Sequence, residues 1–245
     1  MRICVINPNT AAAMTDVIAA AARSVAAADT EIVAVTNPMG PESIESHYDE
    51  ALAVPGVLQV ISAMEATAPA DGYLLACFGD PGLDAAREVA GAPVIGIAEA
   101  AMHVASLLGR SFSVVTTLSR TIGRARDLGT LYGLDARCAG YHACEIPVLE
   151  LETNPDTLDI LTDACREALE SDGSDAIVLG CAGMADLAAR IGDKIGAPVI
   201  DGVAAGTLLL QSMATLNLFT GTASGEFAKP LPKRYTGGLE AFGSA

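Results

Sequence analysis

The chain has 245 residues, enough to bury one sizeable hydrophobic core or two small ones, and 51% of its residues are hydrophobic. It has 14 Lys and Arg against 30 Asp and Glu, and the resulting formal net charge of −16 disfavours binding to nucleic acid or to an anionic membrane surface. No apolar run is long enough to cross a bilayer and no secretory signal pattern is present, so we expect a cytoplasmic protein.

The first part of the chain alternates strand-like and helix-like segments. The pattern predicts a strand at 2–6, a turn at 7–10, a helix at 11–27, a strand at 31–36, a loop at 37–41, a helix at 48–65 broken near 55–56, and a strand that ends at Cys77. Asn9 or Thr10 is expected to cap the first helix, and Asp80 to cap a helix that begins at Pro81.

The second part repeats this alternation. The pattern predicts a strand at 111–116, a helix at 119–132, a strand at 137–140, a helix at 156–170, a strand that ends at Cys181, a helix at 182–195 and an apolar helix at 203–218. We expect the apolar helix to be buried between elements or in an oligomer, and the tail from Phe219 to form a surface strap with a frayed end. Strands alternating with helices predict an α/β fold with parallel sheets.

Two stretches of the chain are near copies of each other. Residues 71–79 and 175–183 each contain an acidic residue, an apolar run, a cysteine and a glycine, and Cys181 follows Cys77 by 104 residues. A second pair of blocks, 92–96 and 197–201, repeats at almost the same spacing. The repeat predicts two pseudosymmetric α/β half-domains, 1–98 plus 206–245 and 99–205, with an active site in the cleft between them.

Several candidate site residues fall at the predicted carboxyl ends of strands, where parallel sheets bind their ligands. They are Asn7 to Thr10, Cys77, Thr116 with Thr117, and Cys181. In a pseudosymmetric pair of half-domains, the two cysteines approach the cleft from opposite sides. Two opposed acid/base groups are what racemisation of a carbon acid needs, because the proton leaves one face of a planar carbanion and returns to the other. We expect predicted helix amino termini just after each cysteine to favour the thiolate.

The chain resembles the aspartate/glutamate racemase superfamily, and within it the hydantoin and allantoin racemases, over roughly residues 1 to 220. The resemblance rests on motifs at residues 7–10 (Asn-Pro-Asn-Thr), 40–45 (Gly-Pro-Glu-Ser-Ile-Glu), 77–82 (Cys-Phe-Gly-Asp-Pro-Gly), 116–117 (Thr-Thr) and 180–184 (Gly-Cys-Ala-Gly-Met). It implies a two-domain pseudosymmetric fold, no pyridoxal phosphate, no metal, and a catalytic pair formed by Cys77 and Cys181.

Residues beside the two cysteines narrow the resemblance. Amino-acid racemases of the superfamily typically have Cys-Asn-Thr and Gly-Cys-Thr-His, whereas this chain has Cys77-Phe78-Gly79 and Cys181-Ala182-Gly183. Arylmalonate decarboxylases of the superfamily keep only one of the two cysteines. The resemblance therefore implies racemisation of 5-substituted hydantoins at C5. Allantoin or another cyclic ureide is the runner-up, and an amino acid or dicarboxylate, as in aspartate/glutamate racemases and maleate isomerases, is a further alternative.

The expected substrate-binding residues surround the two thiols. They are Asn7, Asn9, Ser43, Phe78, Gly79, Thr116, Thr117, Ala182 and Gly183. Amides at the two glycines, with Asn9 and the threonine hydroxyls, would hold the ring carbonyls and stabilise an enolate. Phe78 and the glycines predict a site poor in charge, which suits a neutral ring.

Other interpretations of the cysteines are weaker. The remaining four, Cys4, Cys138, Cys144 and Cys165, are expected to be core or incidental residues, and Cys138, His142 and Cys144 fit no zinc-binding spacing. A thiol-redox protein and a two-lobed, non-catalytic binding protein remain the alternative classes. The sequence contains no nucleotide-binding or serine-hydrolase motif, which disfavours those classes of enzyme. The apolar composition predicts a homo-oligomer, and the resemblance implies a small-molecule substrate, a hydantoin or a related cyclic ureide.

Overall fold

The computed structural model describes residues 1–244 and contains two four-stranded parallel sheets. The first has the order β2-β1-β3-β4, with β1 at Arg2–Asn7, β2 at Glu31–Thr36, β3 at Gly72–Leu75 and β4 at Val94–Gly96. The second has the order β6-β5-β7-β8, with β5 at Phe112–Thr116, β6 at Cys138–Ala143, β7 at Ile177–Gly180 and β8 at Val199–Ile200. The two orders are the same, which confirms the predicted duplicated α/β architecture.

Helices cover the sheets and connect them. They are α1 (Ala12–Val25), α2 (His47–Thr67), α3 (Leu83–Val89), α4 (Ile97–Ser106), α5 (Ile122–Leu131), α6 (Thr157–Asp172), α7 (Ala188–Ile195) and α8 (Gly202–Thr215), with short 3-10 turns at Ser119–Thr121, Asp135–Arg137, Val148–Glu150, Ala182–Leu187 and Gly237–Ser244. We call β1 to β4 with α1 to α3 the first half, and β5 to β8 with α5 to α7 the second half.

The central strands are apolar because helices cover both faces of each sheet. All four residues of β3 and all four of β7 are buried. Helix α4 contacts strands of both sheets and packs on α8, so one hydrophobic core runs from Val5 in the first sheet to Val178 in the second. This shared core holds the carboxyl ends of the two sheets on either side of a common cleft. The residue boundaries of the two half-domains remain a prediction.

Three local predictions about helices were wrong. Helix α2 runs unbroken through Pro55, and at Gly56 it packs so closely on Asn37 that a Cβ atom would collide with that side chain. Asp80 does not cap the helix that follows it, because α3 begins at Leu83 after Gly82, whose φ of 73° turns the chain. The N-cap residue of α1 is Ala11, which makes no side-chain hydrogen bond to the helix, and not Asn9 or Thr10 as expected.

The last helix and the tail are only partly as expected. Gly206 and Leu210 of α8 are buried but Leu208 is 46% exposed, so within one chain the helix is only partly buried, and its burial in an oligomer remains a prediction. The helix is so nearly apolar that its sequence does not indicate which face is exposed. The tail contacts the surface of the first half, where the Thr220 hydroxyl donates to the Ala92 carbonyl and Arg87 lies over the ring of Phe227. Within residues 1–244, no helix combines the length and the hydropathy needed to cross a membrane.

Candidate active site

A cavity of about 190 Å³ opens where the carboxyl ends of the two sheets face each other. The first half lines it with Asn9, Met14, Ile44, Glu45, Ser46, His47, Glu50, Ala76, Cys77, Phe78 and Gly79. The second half lines it with Thr116, Thr117, Arg120, Thr121, Arg124, Ala125, Val148, Gly180, Cys181 and Ala182. Both cysteines of the internal repeat thus face the same cavity, one from each half.

Eight of the eleven residues predicted for the site line this cavity, and Asn7, Ser43 and Gly183 do not. The Asn7 side chain is 1% exposed and donates to Asn9 Oδ1 at 2.8 Å and to Thr15 Oγ1 at 3.0 Å, so it supports the turn beneath the cavity. Ser43 lies beside the cavity-lining residues 44–47, in the loop before α2. Gly183 is buried behind Cys181, against Leu151 and Met14.

Cys77 lies in a tight turn after β3. Its carbonyl accepts a hydrogen bond from the Asp80 amide at 3.0 Å, which closes the turn. Burial raises the pKa of the Cys77 thiol, against the opposing effect of a hydrogen bond from the Gly79 amide to the sulfur. Negative charge on Cys181 raises the pKa of Cys77 further.

Cys181 is the N-cap residue of the 3-10 helix Ala182–Leu187. Its carbonyl accepts a hydrogen bond from the Met184 amide at 3.2 Å. Burial raises the pKa of the Cys181 thiol to about 12, although the Gly183 amide acts in the other direction. The expectation of a helix amino terminus directly after Cys77 was wrong, because α3 begins only at Leu83, whereas a 3-10 helix does begin directly after Cys181. Desolvation outweighs one amide hydrogen bond at each sulfur, and the α-helix after Cys77 begins six residues too late to add its own amides.

Charged residues in the cavity were missed by the sequence analysis. Arg124 donates to the Gly79 carbonyl from Nε at 3.0 Å and from Nη2 at 2.6 Å, and its Nε lies 3.2 Å from Glu50. Burial raises the pKa of Glu50, and Arg124 lowers it. The prediction of a site poor in charge was wrong. The sequence did contain one indication of charge at the site. Arg120 and Arg124 lie one helical turn apart just after Thr116 and Thr117, in a chain that has only 14 Lys and Arg.

The two halves also touch at the mouth of the cavity. The Glu45 carboxylate, in the loop before α2, accepts a hydrogen bond from the Val148 amide of the second half at 2.7 Å. Together with the Arg124 contacts, this bond joins residues of both halves around the cavity, which favours a site shielded from bulk water.

Some polar side chains in the cavity already form hydrogen bonds within the protein. Asn9 Oδ1 accepts the Ala11 amide at 2.9 Å, while Asn9 Nδ2 donates to the Met14 thioether, a weak acceptor that a carbonyl oxygen of a ligand can outcompete. Thr116 Oγ1 donates to the Gly180 carbonyl at 3.2 Å. Asn9 is thus the better placed of the two to bind a ring carbonyl.

The residues considered for a metal site do not assemble one. His142 Nε2 lies 2.8 Å from Asp172, and Cys138 donates to the Gly140 carbonyl. Across residues 1–244, no three His, Cys, Asp or Glu side chains group together in a way that would hold a metal ion.

Comparisons with known proteins agree with the duplicated α/β fold. The family model described as Asp/Glu/Hydantoin racemase matches residues 3–210. A relative named hydantoin racemase, from Pseudomonas sp. (strain NS671), is 45% identical over 99% of this chain and 97% of its own length. Among solved structures, an allantoin racemase from Klebsiella pneumoniae is 49% identical with a TM-score of 0.95, covering 98% of each chain. The allantoin racemase from Pseudomonas fluorescens is 39% identical with a TM-score of 0.92, covering 97% of this chain and all of its own.

Proposed function

The chain belongs to the Asp/Glu/hydantoin racemase family and is an isomerase, and from that premise we propose that it racemises 5-substituted hydantoins by proton transfer between Cys77 and Cys181. The observation that carries the proposal is that these two cysteines, at corresponding positions of the duplicated fold, line one cavity from opposite halves. A pair of acid/base groups from two halves matches the requirement for inversion at a planar carbon.

In the proposed mechanism, one cysteine acts as a thiolate and removes the proton from C5 of the ring. The electron pair left behind delocalises into the neighbouring carbonyl and forms an enolate. The other cysteine, as a thiol, donates its proton to the opposite face of C5 and becomes the thiolate. The thiols exchange roles in the reverse direction, so the reaction needs no outside oxidant or reductant.

Burial of both thiols has a consequence for this mechanism. A thiol of ordinary pKa, about 8.5, is only roughly 3% ionised at pH 7, and burial, which raises the pKa of both cysteines, lowers that fraction further. The Gly79 and Gly183 amides partly oppose the effect at each sulfur. We propose that Asn9 binds a ring carbonyl and stabilises the charge that develops on it.

The identity of the C5 substituent defines the second candidate substrate. Allantoin is a hydantoin with a polar ureido group at C5, and the charged groups Glu50, Arg120 and Arg124 give the cavity partners for such a group. The 49% identity to the Klebsiella pneumoniae allantoin racemase favours the same choice. Phe78, in contrast, favours an apolar substituent.

We also propose that the protein is a cytoplasmic homo-oligomer. Large apolar side chains are exposed at the ends of three helices, at Leu107 and Leu108 after α4, at Leu131 in α5, and at Leu216 with Phe219 after α8. These exposed side chains are candidates for burial in contacts between subunits.

The proposed function is tested by proton exchange at the reacting carbon. Each enantiomer of 5-methylhydantoin, 5-benzylhydantoin, allantoin, aspartate and glutamate is followed by NMR in heavy water, with buffer alone as the control because these carbons also exchange spontaneously. We expect enzyme-dependent loss of the C5 proton signal from the cyclic ureides and none from the amino acids. Absence of exchange above buffer for every ureide would contradict the proposal.

A further inference from the structure

The Asp80 carboxylate anchors the Cys77 turn to distant parts of the chain. It is 2% exposed and accepts hydrogen bonds from the Ala98 amide at 3.1 Å, the Glu99 amide at 2.9 Å and the Tyr132 hydroxyl at 2.6 Å. The two amides belong to the first turn of α4, and Tyr132 follows α5 of the second half. One side chain, three residues from the cysteine, thus holds the turn to both elements.

The second half caps the equivalent helix in a different way. Asp201, which precedes α8, accepts hydrogen bonds from the Val203 amide at 2.9 Å and the Ala204 amide at 2.8 Å. The internal repeat places Gly96 at the position of Asp201, so α4 has no side chain of its own there. A Cβ atom at Gly96 would collide with the Asp80 carboxyl group, which occupies the space that the missing side chain leaves.

The backbone of the turn is also held in place. Asp80 has a φ of 46°, an unfavourable conformation for a residue other than glycine, and the contacts of its carboxylate compensate for that cost. The peptide between Gly79 and Asp80 is fixed at both ends, because its amide donates to the Cys77 carbonyl and its carbonyl accepts from Arg124. With that peptide fixed, the turn that carries Cys77 is held to Asp80 on one side and to Arg124 on the other.

The Cys181 turn has no such anchor. The residue that corresponds to Asp80 is Met184, which is buried, and its amide closes the turn onto the Cys181 carbonyl. The chain then continues directly into the 3-10 helix Ala182–Leu187. The Cys181 turn is therefore held by its own helix and by the Thr116 hydroxyl on the Gly180 carbonyl, whereas the Cys77 turn is held by a buried carboxylate that reaches α4 and Tyr132.

Building on the racemase function proposed above, we propose that Asp80 is a positioning residue for Cys77 alone: its hydrogen bonds to α4 and Tyr132 hold the turn that carries Cys77. Asp80 does not line the cavity, so it acts through the turn. Loss of the anchor is expected to impair proton transfer at Cys77 and to leave proton transfer at Cys181 intact.

The experiment compares Asp80→Asn and Tyr132→Phe with the matched control Asp201→Asn. Asparagine caps a helix about as well as aspartate, so the control is expected to racemise within about threefold of the wild-type rate. At both positions an amide nitrogen would face a backbone donor, but only at position 80 do the affected hydrogen bonds hold the Cys77 turn to α4 and Tyr132. Because misplacement of a reacting group is costly, we expect Asp80→Asn to lower kcat for racemisation at least about tenfold in both directions with little change in KM. Tyr132→Phe removes only the hydroxyl and should give a smaller loss of the same kind.

Deuterium exchange without inversion separates the two thiols. Cys77→Ser identifies the enantiomer that Cys181 deprotonates, since that enantiomer can still exchange its C5 proton in heavy water. In Asp80→Asn and Tyr132→Phe this enantiomer should exchange at close to the wild-type rate, while exchange of its mirror image falls. Thermal unfolding of each variant shows whether it is folded.

Equal loss of exchange from both enantiomers in a folded Tyr132→Phe variant, or no loss from either, would overturn the role of Asp80. Failure of the wild-type protein to exchange any ureide would overturn the proposed function instead, so the two outcomes are distinguishable.

Discussion

The two cysteine turns occupy the same place in the two halves of the fold, yet their surroundings differ in kind. Charged groups surround the turn at Cys77, where Arg124 binds the Gly79 carbonyl and Glu50 lies against Gly79. Around Cys181 the neighbours are the Thr116 hydroxyl and the apolar side chains of Met14 and Leu151, which pack behind it on Gly183. The duplication thus preserved the strand order and the position of each sulfur, while the surroundings diverged. Such divergence suits a substrate whose two faces and substituents are not alike.

Removal of either sulfur is the strongest test of whether the two halves share the chemistry. We expect Cys77→Ser and Cys181→Ser each to lower racemisation by roughly 10²- to 10⁴-fold, the usual contribution of a general acid or base. Chiral chromatography of the products measures the rate. A variant that keeps more than a tenth of the wild-type rate would show that its half contributes no proton-transfer group.

The pH dependence tests whether both thiols start from the protonated state. Burial raises both pKa values, that of Cys181 to about 12, so the thiolate fraction should still be rising at pH 9. Below the pKa of a thiol, its thiolate fraction increases about tenfold per pH unit. We therefore expect kcat/KM to increase by about the same factor per unit between pH 7 and 9. The spontaneous exchange rate in buffer is subtracted at each pH. A plateau beginning below pH 8 would mean that a cysteine of the free enzyme has a lowered pKa.

The sequence revealed the features that depend on local pattern. Apolar runs predicted the strands, because a short buried strand is recognisable from its own residues. The repeat around Cys77 and Cys181 predicted the duplication, because the two copies are similar in sequence. Asp80 was assigned to the wrong helix because the amides that it caps, at Ala98 and Glu99, belong to a later helix. The ion pair of Glu50 with Arg124 joins two halves, and only the packed structure brings its members together.

Glycine substitutions test how differently the two turns are enclosed. A Cβ atom at Gly79 would collide with the Glu50 carboxylate, whereas one at Gly183 would meet the ends of Leu151 at 3.1 Å and Met14 at 3.3 Å. Because Gly79→Ala displaces the ion pair with Arg124, we expect it to lower kcat roughly ten- to hundredfold. The ends of Leu151 and Met14 are flexible and can move away from an added methyl group at Gly183. The matched variant Gly183→Ala should therefore lose less of its kcat. Equal losses would contradict the asymmetry.

The smallest effect is expected at a cysteine outside the cavity. Cys138 lies at the amino end of β6, where its thiol donates to the Gly140 carbonyl. Cys138→Ala should change the racemisation rate by less than about twofold, as is usual for substitutions away from a site. A larger loss in the same chromatographic assay, from a variant with unchanged thermal stability, would point to a role for a third sulfur.

The close approach of Gly96 to Asp80 also constrains how this protein can change in evolution. With Asp80 in place, any side chain at position 96 meets its carboxyl group, and with Gly96 in place, loss of Asp80 leaves the first turn of α4 without a cap. The two positions are therefore expected to accept substitution together and to resist it singly. A sequence that regained the arrangement of the second half, with Asp at 96 and Met at 80, would need both changes at once, so the present asymmetry is protected by the poor fitness of either intermediate.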